Sequence, residues 1–187
     1  LADIDPALEC DAQDNMGGIV ETIIFGYHDE VATWPDLPAA TETALDLEQA
    51  GALKGDVVMA NGCKAYKFSI TDNTGSFTIK LQGETGGESF LEELTIVSAR
   101  IRKKLLGFMN AAKGRKLFFI VEDNNGVKYL MGDRRRGAIL ASDSDGASTG
   151  TGATERNQTS LKFQYNAPRA LAYEGDCENI LTAATGG

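Results

Sequence analysis

Leu117-Phe118-Phe119-Ile120-Val121-Glu122-Asp123-Asn124-Asn125-Gly126-Val127-Lys128-Tyr129-Leu130-Met131-Gly132 reads as two short strands joined by a turn, and it is apolar on both faces. A hairpin of that kind is stable only when something covers each side. Asn125-Gly126 suits a two-residue type I′ turn, because Asn and Gly best tolerate positive φ at both central positions. That turn would set Val121 opposite Leu130 and Ile120 opposite Met131. Phe119, Val121 and Leu130 would then share one face, and Phe118, Ile120, Met131, Tyr129 and Val127 the other. An opposing sheet is the expected cover for the first face. The expected cover for the second is a helix over 98–113, in which Ser98 caps the start and Ile101, Leu105, Phe108, Met109 and Ala112 recur along one side.

Outward from the hairpin, the pattern stays that of strands. Upstream, Ile19 to Tyr27 is rich in β-branched and aromatic residues. Tyr66, Phe68 and Ile70 alternate with Lys67, Ser69 and Thr71, and Phe77, Ile79 and Leu81 alternate with Thr78 and Lys80. That period of two marks strands with one wet face. Ser89 to Val97 is a further strand with a less clean alternation, and 41–51 could hold a short helix with Leu45 and Leu47 inward. Downstream, Arg134-Arg135-Arg136-Gly137 leads into the apolar Ala138 to Ala141. A polar tract over 142–158 follows, read as a long mobile loop. Leu161, Phe163 and Tyr165 alternate in a last strand, which Pro168 ends. The sum is a mainly β chain: an antiparallel β-sandwich or partly closed barrel with one flanking α-helix. Residues 1–18 read as an acidic amino-terminal arm, 19–175 as the domain and 176–187 as a carboxy-terminal tail.

Composition narrows the function. The chain has 187 residues, 42% of them hydrophobic, enough for one substantial core. Its formal charge of −9, from 27 acidic and 18 basic residues, argues against a protein whose task is to grip nucleic acid by its phosphates. No apolar run has the length of a membrane span, and the first residues lack the basic and apolar regions of a signal peptide. Cys10, Cys63 and Cys177 are odd in number and far apart, the pattern of reduced thiols in a protein made in a cytoplasm.

The residue patterns of catalysis are absent from the sequence. His28 is the single histidine, so a serine or cysteine nucleophile has one candidate base, and no Gly-x-Ser-x-Gly elbow is present. A hydrogen-bonded or solvated His28 is the plainer reading. The cysteines and His28 do not have the spacing of a metal site, and no cofactor is implied. Asp143-Ser144-Asp145-Gly146 resembles a calcium loop only faintly, since the glycine comes early and Ala147 supplies no ligand; a polar turn fits better. Neither glycine-rich stretch leads into the Gly-Lys-Ser/Thr of a phosphate loop. The chain is therefore read as a non-enzyme.

Two basic clusters stand out against the acidic whole, one from Arg100 to Lys104 with Lys113, Arg115 and Lys116, the other Arg134 to Arg136. They read either as solvated faces or as a positive surface that meets the negative surface of an identical neighbour. On the second reading the assembly contacts are Arg134, Arg135, Arg136, Arg100, Lys103, Asp143 and Asp145.

Between Gly17 and Tyr173 the order of elements resembles the tail tube (major tail) proteins of tailed phages. The shared features are a Gly-Gly lead into a strand, a consecutive meander, one helix, an Asp-x-Asn-Gly hairpin, a polar Thr/Gly loop and a last strand closed by Pro168. The resemblance implies a virion structural protein, made in the host bacterial cytoplasm and located in the virion tail. It would assemble as rings, typically hexameric, that stack into a hollow tube, meet other tail or neck proteins, and let DNA pass without specific binding. Arg134 to Arg136 depart from the acidic lumen of such tubes and are expected at a subunit contact or the outer surface. The alternative is a non-catalytic β-sandwich binding module, for glycan binding or head decoration, with Tyr27, Trp34 and Tyr173 as an exposed aromatic platform.

Overall fold

The computed structural model describes residues 16–38, 47–71, 74–150 and 157–183. In chain order its strands are β1 (Thr22–Tyr27), β2 (Val31–Thr33), β3 (Ala52–Leu53), β4 (Val58–Met59), β5 (Tyr66–Ser69), β6 (Ser76–Gln82), β7 (Ser89–Ala99), β8 (Leu117–Glu122), β9 (Lys128–Met131), β10 (Ile139–Leu140), β11 (Gly146–Ser148), β12 (Gln158–Ala167) and β13 (Ala172–Tyr173). Two α-helices are described, α1 (Leu47–Ala50) and α2 (Lys103–Ala112). One antiparallel sheet has the order β5-β1-β8-β9 and the other β10-β12-β7-β6, with β11 beside β10 along the same edge of β12. The two face each other as an open sandwich, not a closed barrel. The short pairs β2–β4 and β3–β13 lie outside it.

The hairpin keeps its two apolar faces but not its expected register. Phe119 pairs with Met131, Ile120 with Leu130 and Glu122 with Lys128. The turn is one residue longer than a type I′ turn. The Gly126 amide donates to the Asp123 carbonyl, the Asp123 amide donates to the Val127 carbonyl, and only Gly126 takes positive φ, at 87°. This is a turn closed by a left-handed glycine in a bulge. Asp123 selects it by accepting the Asn125 and Val127 amides on one carboxylate oxygen, each at 2.9 Å. A shift of one residue turns β9 over. Met131 therefore joins Phe119 and Val121, while Leu130 joins Phe118 and Ile120.

The first face packs against the second sheet, where the Phe119 and Phe163 rings lie 4.6 Å apart with Leu94, Ile96 and Leu161 around them. The second face is covered not by the helix but by β3, β4 and the segment from Leu171 to Ile180, which supply Leu53, Val57, Met59, Tyr173 and Ile180. Residues 176–180 of the expected tail thus belong to a second core. Cys177 and Ile180 are buried, and the Ile180 carbonyl accepts the Ala65 amide. Residues 184–187 lie outside the described set, as do 1–15 of the arm and Leu45 of the expected short helix.

Helix α2 starts five residues later than the sequence suggested. Ser98 lies in β7 opposite Thr159, and the chain leaves the strand through Arg100, whose φ of 68° is left-handed. Arg102 then stands at the N-cap without a side-chain cap. The helix fills the mouth of the sandwich between β5 and the β10–β11 side, with Phe108 against Phe25, Phe68 and Phe163 and Met109 reaching Gly146. The expected loop 142–158 contains β11, and Ser144 also ties it to β12: its hydroxyl donates to the Ser160 carbonyl and accepts the Lys162 amide. Residues 151–156 are outside the described set.

Candidate assembly surface

The two lateral sides of the sandwich differ. On one side β6 and β9 are both edge strands, bridged by Phe77 and Tyr129 with ring centroids 4.8 Å apart. β6 is seven residues long, and within it Leu81 is 65% exposed. Among the described residues its outer edge has no partner strand, and an edge of that length offers a row of free amides and carbonyls to another chain. The other side is formed by the β5 edge and α2, with Arg100, Arg102, Lys103 and Lys104 exposed at the start of the helix.

The arginine triplet does not act as one patch. Gly132 and Gly137 bridge the base of a tight turn, closed by the Arg136 carbonyl accepting the Asp133 amide at 2.8 Å. Asp133 organises it: one carboxylate oxygen accepts the Arg135 and Arg136 amides at 2.6 and 2.8 Å, and the other accepts the Tyr165 hydroxyl at 2.8 Å. Its carbonyl accepts Nε2–H of His28 at 2.7 Å, so the single histidine is held structurally against Asp133 and the Trp34 ring. Arg136 reaches the Asn166 carbonyl at 3.3 Å, while Arg134 and Arg135 sit exposed on the turn. Burial, and then the bond to Asp133, hold the Tyr165 phenol well above its ordinary range.

Replacing Asp133 with alanine strips the buried Tyr165 hydroxyl and two turn amides of their acceptor. Each charge-assisted bond contributes about 1.5–3 kcal/mol, so a loss of about 3 kcal/mol is expected in urea unfolding of Asp133→Ala. A change within error would show that the turn is held by other contacts.

The remaining candidates separate. Arg100 and Lys103 lie at the start of α2, and Arg134 to Arg136 lie near Leu117, beyond its far end. A ten-residue helix is about 15 Å long, so the two basic groups are distinct surfaces. Within the first cluster Arg115 is taken up internally, stacked 3.5 Å over the Tyr27 ring and bonded to Asp29 at 3.0 Å. Asp143 is likewise paired within the chain, 2.6 Å from Lys162, in a network on the outer face of the second sheet that also joins Glu93 and Lys80. Its carboxyl is lowered by the Lys162 bond, and that of Glu93 by bonds from Lys80 and Gln164. Asp145 is exposed beside β11.

The aromatic platform is not formed. Tyr173 is 3% exposed inside the second core, where its hydroxyl accepts the Val57 amide and burial pushes its phenol up to about 12. Trp34 packs edge-on against Phe118.

The sequence reading missed Glu92. It lies in β7 in phase with Leu94 and Ile96, faces inward, is 4% exposed, and its Oε2 has no hydrogen-bond partner among the described residues. Burial raises its pKa to about 8. Strict alternation from Phe90 through Ile96 would have exposed it as a carboxylate on a core face.

Among the described residues, no group of three or more His, Cys, Asp or Glu side chains is placed to hold a metal ion, and no helix is long and apolar enough to cross a membrane. No family model, curated protein or solved structure matches this chain.

Proposed function

We propose that this chain is a virion structural protein, a tail tube subunit that self-assembles into rings stacked as a hollow, DNA-conducting tube. The observation that carries the reading is the unpaired β6 edge with exposed Leu81 on one side of the sandwich, opposite the β5–α2 side with its exposed basic residues. A contact between two different sides is head to tail, and it closes into rings when the rotation allows. The resemblance in element order adds the expectation of six subunits per ring.

Purified protein at rising concentration should give rings or tubes by negative-stain electron microscopy, and a strictly monomeric species at high concentration would overturn the reading. Leu81→Glu places a charge at the β6 edge. Because Leu81 is exposed, its cost to the folded monomer should stay within about 0.5 kcal/mol, while assembly is lost. Assembly unchanged by this substitution would remove β6 from the contact.

A further inference from the structure

Between the β5 edge and α2 runs an open groove of about 360 Å³. Its apolar floor is Phe25, Phe68, Leu105 and Phe108, and Lys67, Arg102 and Lys104 line it as well. The three basic residues are exposed, and none of them forms an ion pair within the described residues. Among the described residues, β5 presents an unpaired strand edge along the groove. The occupant it suits is therefore extended, partly apolar and acidic.

One segment of this chain has that character. Residues 1–15 carry Asp3, Asp5, Glu9, Asp11 and Asp14 with no basic side chain, and Leu8-Glu9-Cys10-Asp11 alternates apolar with acidic. Paired with β5 as a strand, Leu8 and Cys10 would face the aromatic floor on the side of Tyr66 and Phe68, and Glu9 and Asp11 the opposite face, where Lys67 stands opposite Ile24. The chain leaves the described structure on the far side of the sandwich. Met16 exchanges hydrogen bonds with Asn125 at 2.9 and 3.1 Å, the Gly17 carbonyl accepts from Asn124, and both residues lie beside Phe77 and Tyr129 on the β6–β9 side. To reach the groove of its own subunit, the segment would have to cross the sandwich. A neighbour joined head to tail presents its β5–α2 side directly, within the roughly 50 Å that fifteen extended residues can span.

We propose that residues 1–15 of one copy of this chain lie in the β5–α2 groove of the next, added as a strand to β5. The inference rests on the self-assembly reading and gives it a strap between neighbours.

The test uses the full chain carrying Cys63→Ser and Tyr66→Cys, so that native Cys10 of the arm can form a disulfide with the new thiol on the floor face of β5; Ser69→Cys, on the opposite face, is the control that should not link. Diamide is the oxidant, and denaturing gels without reductant are read beside electron micrographs of the same sample. The expected result is a ladder of covalently linked multimers from particles, reduced about fivefold by Lys67→Glu, as a charge contact at the upper end of the ordinary range would give. A link confined to single chains overturns the arm exchange. Rings or tubes without any link overturn the groove assignment and leave the tube reading standing. Intermolecular links without rings or tubes support the groove and overturn the tube. Neither links nor particles overturns both.

Discussion

Glu92→Gln will flatten the loss of stability between about pH 4.5 and pH 8 that the wild-type chain will show. The carboxyl is 4% exposed on the inner face of β7 with an unpartnered oxygen, and burial lifts its pKa from 4.5 to about 8. Tyr165 stands opposite it on β12, with its hydroxyl bonded to Asp133 and Arg136 nearby. The sign follows from proton binding. Below pH 4.5 folded and unfolded chains both carry the proton, and Glu92 makes no difference between them. From pH 4.5 to 8 the unfolded chain releases it while the folded chain keeps it, so stability falls as pH rises, by about 1.4 kcal/mol per unit. Above pH 8 both forms are ionised and the loss levels off, on the order of 5 kcal/mol below its acid value. Urea unfolding at pH 5, 6.5 and 8 measures the slope. Glutamine has no such slope, and although it leaves an amide to be satisfied, it should be the more stable form at pH 8. Equal slopes in both proteins would show that the carboxylate finds water or a partner when ionised.

Phe118→Ala and Phe119→Ala will each cost about 4 kcal/mol, the range for deleting a fully buried aromatic side chain. Both side chains are completely buried, and neighbours in a strand point to opposite faces. Phe119 meets Phe163 of the second sheet, and Phe118 meets Trp34 and closes over Gly26. A Cβ at position 26 would come within 2.5 Å of the Phe118 ring, so the second core uses the absence of a side chain in β1 as well as the presence of one in β8. A domain with one core would lose stability at one position and tolerate the other. Two losses of similar size in urea unfolding would establish two cores sharing one sheet, and a cost under about 1 kcal/mol at Phe118 would show that its cover can be shed.

Much of this architecture was legible because strands with one wet face carry a period of two. The Phe77 and Phe163 strands show it plainly, and Pro168 stops β12 just after Ala167 as expected. Helix α2 was visible from Leu105, Phe108 and Ala112, but its start was not. Ser98 is as good a cap by composition as any, and only its pairing with Thr159 holds it in the strand. Of the candidate contacts, Asp143 looked free because Lys162 is nineteen positions away, and that pairing exists only once β12 returns beside the polar tract. Glu92 was overlooked for the opposite reason: its charge suggested the surface although its phase in the strand did not.

The hairpin marks the limit of local information. From sequence alone it had to be a hairpin and had to be covered twice, since nine of its sixteen residues are apolar and they fall on both faces of two strands. Its register depended on whether Asn125 and Gly126 both, or Gly126 alone, took the left-handed conformation, a choice made by the Asp123 carboxylate bonding two amides and by Asn124 and Asn125 gripping Met16 and Gly17. Which element covered the second face depended on chain segments roughly forty residues or more away in either direction, β3 with β4 and the stretch around Tyr173. Period and composition are carried by neighbouring residues, so the sequence determined the strands and their two apolar faces. Register and cover depend on contacts between distant segments, each worth little until the others are made, and those only the tertiary structure decided.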